Sequence, residues 1–409
     1  MNILLISSKY PPEYAGSGYR IDRTWRRLAA MTGWNWRVVC NSLEYDGYQA
    51  YDWHGVAVQR VSCRLQRHGA GGIRLRQALR TWLEAIATWW WLWRYPVDLV
   101  YVVGTSASTA AAIAWAHWRR LPLVVELVNT GAEPLQPLPG LAWLWRRYLQ
   151  PRLRQRTLIV AISDKLRQLC QQRFGLQHNV WSRPNPVDEQ AFYPADAATR
   201  WQLRQRLTPF AERDRVLVWV ANFIPGKNQI FLLEVLRQLP LHYKLVLAGP
   251  WLQTGPHGER NSAYVARIRQ QIDEWRLGDR VLLQTGFVVA ADYVRLADVV
   301  TIPSLAEGLS TPMLEALACG LPVIANGAEP AFQQWIQPGY NGFLCPLDAT
   351  QWADAIQQAD VWPLSQRQQF AAAITACAAT GVIDRQLVTL LQALVVLSPD
   401  AILDVSTCF

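Results

Sequence analysis

Residues 307–320, reading E-G-L-S-T-P-M-L-E-A-L-A-C-G, decide how the rest of the chain is read. They follow an apolar run, Val299-Val300-Thr301-Ile302-Pro303, and precede another, Leu321-Pro322-Val323-Ile324-Ala325. Strand, glycine-containing loop, helix and strand make one α/β unit. Pro312 suits the first helical turn, Ser310 or Thr311 can cap it, and Gly320 suits its C-terminal end. The loop Gly308-Leu309-Ser310-Thr311 then offers backbone N–H groups and a positive dipole end where a strand finishes. That is an anion site, and a pyrophosphate fits it.

Two carboxylates bracket this loop, Glu307 and Glu315, in the spacing E-x7-E. Glu307 precedes the helix and Glu315 lies about one turn inside it, so both can look toward a ligand across the helix N-terminus. Carboxylates do not bind phosphates, but they accept hydrogen bonds from sugar and ribose hydroxyls. An anion cradle with a hydroxyl acceptor on either side suits a nucleotide sugar. A retaining glycosidase is excluded: it needs two carboxyls about 5 Å apart on opposite sides of the scissile bond, which one loop–helix unit cannot easily supply.

With its surroundings, PSLAEGLSTPMLEALACGLPVIA, this stretch resembles the signature of the family-4 retaining glycosyltransferases of GT-B fold. The resemblance implies an α/β chain of two Rossmann-like, doubly wound domains facing across a cleft. It implies a hexosyltransferase-type enzyme that moves a sugar from a nucleotide diphosphate to an acceptor and keeps the anomeric configuration. Glu307 would hold hydroxyls of the transferred sugar and Glu315 those of the ribose. Lys227, a lone lysine after a strand in Ala221-Asn222-Phe223-Ile224-Pro225-Gly226-Lys227, would reach the diphosphate together with the N–H groups of Leu309, Ser310 and Thr311. Asn222 lies on the same donor loop, and Val288 with Phe287 would lie beside the base. Gly16 and Gly18, ahead of a helix, permit close approach and unusual dihedrals in a loop facing the donor phosphates. No metal-ligand cluster and no cofactor are expected; the nucleotide-diphosphate sugar is a substrate.

Outward from the signature, strands and helices alternate throughout, which argues for parallel, doubly wound sheets. The start MNILLIS reads as a first strand rather than a signal peptide. Arg183-Pro184-Asn185-Pro186-Val187-Asp188, leading to Phe192-Tyr193-Pro194, breaks regular structure and resembles the family's interdomain passage. The expected division is an acceptor-side domain over 1–195, a nucleotide-sugar domain over 196–382, and a last helix and tail over 383–409 that cross back to the first domain. A chain of 409 residues fits two domains of about 200 residues each.

The net charge of +9 rests almost wholly on arginine, since Lys9, Lys165, Lys227 and Lys244 are the only lysines. No nucleic-acid motif accompanies it, so phosphorylated ligands and an anionic membrane surface lead as partners. No stretch reaches about eighteen uncharged apolar residues, so no transmembrane helix is expected. Residues 82–93, holding Trp89-Trp90-Trp91, and residues 141–156 (LAWLWRRYLQPRLRQR) mix tryptophan with arginine. Such helices either dock on an anionic bilayer or contribute aromatics to the core. Seven scattered cysteines without a CxxC pair read as a reducing compartment. The expected partners are a nucleotide-sugar donor and a glycan or lipid-linked acceptor, with a cytoplasmic location or a peripheral one at the inner face of the plasma membrane.

Two departures from the family pattern stand out. Many relatives carry Gly-Arg where this chain has Ala221-Asn222, and many carry a histidine at the position of Val128 or Asn129. None of the six histidines falls in that loop. Either Asn129 or Glu133 substitutes on the acceptor side, or the chain manages without. The alternative reading is an inactive GT-B scaffold that keeps the donor pocket; a sugar-nucleotide epimerase is disfavoured by the signature.

Overall fold

A computed structural model describes residues 1–13, 16–42, 45, 47–62, 73–128, 143, 145–251, 253 and 258–407. The chain divides into two compact units, Met1–Arg183 with Asp384–Phe409, and Pro184–Ile383.

The first unit is built on eight strands: β1 (Asn2–Ser7), β2 (Asn35–Cys40), β3 (Gly47–Trp53), β4 (Val56–Ser62), β5 (Leu99–Val103), β6 (Leu123–Leu127), β7 (Thr157–Ala161) and β8 (Val180–Ser182). They lie in the order β3-β4-β2-β1-β5-β6-β7-β8. All neighbours are parallel except β3, which turns back antiparallel onto β4. The turn between those two is His54-Gly55, both with positive φ, the geometry whose twist matches a tight hairpin. β1, β5, β6 and β7 are nearly continuous apolar runs with their side chains buried, as parallel strands covered on both faces must be. The order of strands reverses beside β1, so the loops after β1 and β5 meet at a switch point. They meet closely: a Cβ on Gly104 would stand 2.4 Å from Ser8 Oγ.

The helix Gly16–Thr32 follows the first of those loops, burying Ile21, Trp25 and Leu28 at helical spacing. Gly16 and Gly18 lie inside this helix and are not among the positive-φ residues, so the expected unusual dihedrals are absent. A Cβ on Gly18 would meet the Lys9 carbonyl oxygen at 3.0 Å, whereas one on Gly16 would meet nothing; close approach belongs to Gly18 alone. The helices Ile73–Arg94 and Ala107–Trp118 lead into β5 and β6, and Asp164–Phe174 leads into β8. Within this unit, Arg27 grips Asp384 of the last helix, Thr380–Val396, with two hydrogen bonds of 2.5 and 3.2 Å.

The second unit has six parallel strands: β9 (Arg215–Val220), β10 (Tyr243–Gly249), β11 (Val281–Thr285), β12 (Val299–Ile302), β13 (Val323–Asn326) and β14 (Gly342–Cys345). Their order is β11-β10-β9-β12-β13-β14, so the switch point lies between β9 and β12. β11 stops at Thr285, where Gly286 turns the backbone at φ +127°. No helix among the described residues is long and apolar enough to cross a membrane.

Candidate functional site

At that switch point the loops after β9 and β12 are laced together by backbone. Leu305 N–H donates to Gly226 O at 2.9 Å, and Trp219 Nε1 donates to Lys227 O at 3.2 Å. The β9 loop closes in a short 3-10 turn, Pro225–Lys227, ended by Asn228 in the left-handed region. This turn presents Lys227 toward the β12 loop, where its Nζ lies 2.5 Å from Glu307 Oε1. The Glu307 side chain is only 8% exposed and the Lys227 side chain 23%. Asn222 sits at the base of the same loop, its carbonyl accepting from Gln229 Nε2 at 2.8 Å and from Ile224 N–H.

Behind Glu307 stands a residue that the motif reading missed. Buried Glu329 accepts the Glu307 N–H at 3.2 Å through Oε2 and the Ala331 N–H at 3.1 Å through Oε1. One carboxylate thus caps the short helix Pro330–Gln333 and holds the backbone of the loop that carries Glu307. Asn326 Nδ2 adds a bond to Ser304 O at 3.0 Å.

The helix Thr311–Ala318 starts where the sequence places it, with Pro312 in its first turn. Its capping differs from expectation. Ser310 occupies the N-cap position but makes no side-chain cap bond, and Thr311 Oγ1 accepts from Asn185 Nδ2 at 2.8 Å. With the Ser310 side chain not spent on the cap, the N–H groups at this helix start keep their positive end. Gly308 is half-buried and Leu309 buried, beside them. Glu315 follows one turn inside, half-buried; the Cys319 thiol is pushed up by burial and by the neighbouring Glu315 charge.

Glu307, Lys227, Asn222, Thr311 and Glu315 therefore belong to loops and a helix start at one switch point. Val288 does not: it follows β11, the edge strand, half-buried between exposed Phe287 and Val289. Gly16 and Gly18 belong to the first unit. Asn129 and Glu133 lie outside the described residues.

The first unit holds a buried ionic cluster at the corresponding edge of its own sheet. Glu126, near the end of β6 and fully buried, accepts from Arg20 and, at 3.2 Å, from Arg183 through Oε1; Oε2 accepts from Tyr101 at 2.6 Å. Burial alone would raise the Glu126 carboxyl, but Arg20 and Arg183 together with the Tyr101 hydroxyl outweigh it and hold it below its usual range. The signal was in the sequence: a single charge within the apolar strand L-V-V-E-L.

Two family models match the chain: "Glycosyltransferase Family 4" over residues 14–191 and "Glycosyl transferases group 1" over residues 214–359. Among curated proteins, the chain is 26% identical over 244 residues to the N-acetyl-alpha-D-glucosaminyl L-malate synthase of Bacillus anthracis, covering 58% of each chain. It spans about half the length of the curated relatives it matches. Among solved structures, sucrose-phosphate synthase from Thermosynechococcus elongatus matches with a TM-score of 0.74 at 20% identity, covering 96% of this chain and 98% of that one. The Anabaena protein HepE in complex with UDP and glucose matches at 0.70 and 19%, covering 96% and 100%. At these identities the structures speak to the fold: two Rossmann-like α/β domains of GT-B type.

Proposed function

The chain belongs to the family-4 glycosyltransferases of GT-B fold, and on that premise we propose that it transfers a sugar from a nucleotide-diphosphate sugar to a glycan or lipid-linked acceptor, with retention at the anomeric carbon. The observation that carries the reading is the Lys227–Glu307 pair at the β9/β12 switch point, beside a helix start that Ser310, at its N-cap, does not cap with its side chain. Lys227 and the N–H groups of Leu309, Ser310 and Thr311 take the charge that grows on the departing diphosphate. Glu315 receives the ribose hydroxyls and Glu307 those of the sugar. The bond from the anomeric carbon to the diphosphate oxygen breaks, and the acceptor oxygen bonds to the same face. The acceptor's proton passes to the departing phosphate. UDP-sugars are the first donors to try, since the structural relative HepE is seen with UDP and glucose.

The proposal extends to synthesis of a cell-surface polysaccharide or glycolipid by a cytoplasmic enzyme that meets the membrane peripherally. The free thiols of Cys40, Cys319, Cys345 and Cys377 support the reading of a reducing compartment. The test is a thermal-shift and nucleotide-release screen with UDP-, GDP-, ADP- and dTDP-sugars on the wild type and Glu315→Gln. Stabilisation by one donor, lost in the variant and accompanied by slow release of its nucleotide, supports transfer. Stabilisation with no release on any acceptor favours the inactive scaffold, for which Asn222 in place of the family's arginine is the motive. No stabilisation by any donor overturns the donor site.

A further inference from the structure

The N-terminal edge of the first unit's sheet carries a combination that the donor site does not use. The helices Ile73–Arg94 and Ala107–Trp118 both end there, just ahead of β5 and β6. Trp90, Trp93 and Trp118 stand 51%, 55% and 56% exposed at those ends. Trp93 and Trp118 rings meet at 5.3 Å, and Trp89 stacks on Trp118 at 6.2 Å. Arg94 lies over Trp90 at 4.6 Å and Arg119 over Trp93 at 5.4 Å. Leu79, Leu83 and Ile86 continue the exposed apolar stripe along the first helix at three- and four-residue spacing. Among the described residues, every tryptophan in the exposed class belongs to this unit.

A cationic cavity lies at the same helix end. It measures about 270 Å³ and is lined by His117, Arg120, Arg152, Gln155, Arg156 and Asp400, among others. His117 and Arg120 flank Trp118 and Arg119 in sequence, so the cavity adjoins the aromatic patch. Three guanidiniums there face one carboxylate. Arg156 is held in place by its bonds to Arg120 O at 3.0 Å and Val395 O at 2.6 Å, while Arg152 is exposed. His117 Nε2 is buried with no hydrogen-bond partner. Arg146 and Arg147 add exposed charge beside exposed Tyr148. Asp98, just ahead of β5, already accepts the Asn2 N–H; among the described residues, Asp52 opposite the start of β4 and Asp404 beside His178 ahead of β8 are further carboxylates at this edge, away from the cavity.

We infer that this edge docks on an anionic phospholipid bilayer, with a lipid phosphate in the cavity at Arg120, Arg152 and Arg156 and with Trp90, Trp93 and Trp118 at the headgroup level. Charge decides between occupants. A second copy of the chain, joined through this same patch by a two-fold axis, would bring arginine against arginine. A lipid phosphate answers the guanidiniums, and tryptophan is at home where one side is apolar and the other wet. Lys9 to Glu13, which follow β1, lie at the opposite, C-terminal edge of this sheet, so docking leaves them uncovered. The inference rests on the peripheral placement proposed above and is independent of sugar transfer.

The experiment is flotation of the full chain with phosphatidylcholine vesicles and with vesicles of equal parts phosphatidylcholine and phosphatidylglycerol. Tryptophan emission, light scattering without vesicles and donor-nucleotide binding are read on the same samples. The wild type floats with the anionic vesicles only, less at high salt, with a blue shift in emission. Arg152→Gln weakens partition about fivefold, the effect of one cation near an anionic surface. Trp93→Ala with Trp118→Ala weakens it further and removes most of the blue shift, while both variants keep wild-type nucleotide binding. Partition unchanged by these substitutions, or no preference for anionic vesicles, overturns the inference. So does a dimer without vesicles that the tryptophan variant abolishes, because a second copy then covers the patch. A thermal shift with inorganic phosphate that Arg152→Gln removes, without any flotation, assigns the cavity to a soluble phosphate and also overturns it. A wild type that floats with the anionic vesicles but binds no donor nucleotide would count against the transferase reading alone.

Discussion

Lys227 and Glu307 are eighty residues apart in sequence and join in a 2.5 Å ion pair. If Lys227 receives the diphosphate as proposed, Glu307 is a counter-ion that the diphosphate must compete with for the ammonium. Removing the two partners should therefore have opposite effects on nucleotide binding. Lys227→Gln should weaken nucleoside-diphosphate affinity by about tenfold, the worth of one charge-assisted contact of roughly 1.5 kcal/mol. Glu307→Gln should leave that affinity equal to or tighter than the wild type, while sugar turnover falls by about two to three orders of magnitude. Calorimetric titration of the nucleotide beside a turnover assay separates the two. Equal weakening by both substitutions would mean that the pair acts as a single structural link.

Glu329 is expected to matter for turnover without meeting the substrate. Its carboxylate serves the Glu307 and Ala331 N–H groups at once. Glu329→Ala should cost about 1–2 kcal/mol of stability through the lost helix cap and the unsatisfied N–H groups. The Glu307 loop should then lose its backbone register. We expect kcat to drop more than the donor KM rises, because the ribose and diphosphate contacts are proposed for other residues. Glu329→Gln should recover part of kcat, since one amide oxygen can still accept. A denaturant series and steady-state kinetics on both variants check this.

Much of this was legible because it is local. The strands showed as buried apolar runs, and Lys227 and Glu307 showed as charges in loops that follow strands. β3 was hidden: G-Y-Q-A-Y-D-W is an edge strand with one face in solvent, so no apolar run marks it. The helix Ala197–Leu207 was hidden by its polar sequence; what anchors it is buried Arg204, bonded to Leu296 O, Asp214 O and Asp298. The cap was misread for a related reason. Thr311 takes its hydrogen bond from Asn185, 126 residues earlier, and no local pattern encodes a partner at that distance. Glu329 escaped for the same reason, lying 22 residues beyond the residue it positions.

The cluster around Glu126 gives a stability prediction. Glu126→Ala would leave the buried positive charge of Arg20 and Arg183 without the Glu126 carboxylate. Breaking a buried pair in this way costs about 3–5 kcal/mol. Glu126→Gln should cost less, because its amide oxygen still accepts from one donor. The carboxyl is held below its ordinary range, so its contribution is present at neutral pH and is lost as pH falls below the ordinary glutamate range. Urea unfolding of both variants at pH 7 and at acid pH checks the ranking and its narrowing with acid.

His117 should set a different pH window. Burial, helped by the nearby Arg152 charge, lowers its imidazole to about 4 from an ordinary 6.5. The folded state therefore keeps the ring neutral while the unfolded chain takes up a proton between those values. Where the unfolded state binds more protons, stability rises with pH. The contribution is thus fully present above pH 6.5 and drains away as pH falls toward 4. The full loss is at most about 3 kcal/mol for a shift of this size. His117→Gln cannot titrate, so the stability gap between wild type and variant should be constant above pH 7 and move in the variant's favour below 6.5. Comparing the pair cancels the carboxylates that titrate in the same range. A gap that stays constant from pH 7.5 to 4.5 would show that the ring protonates freely in the folded protein. That result would also mean the guanidiniums of the adjoining cavity leave its charge unopposed.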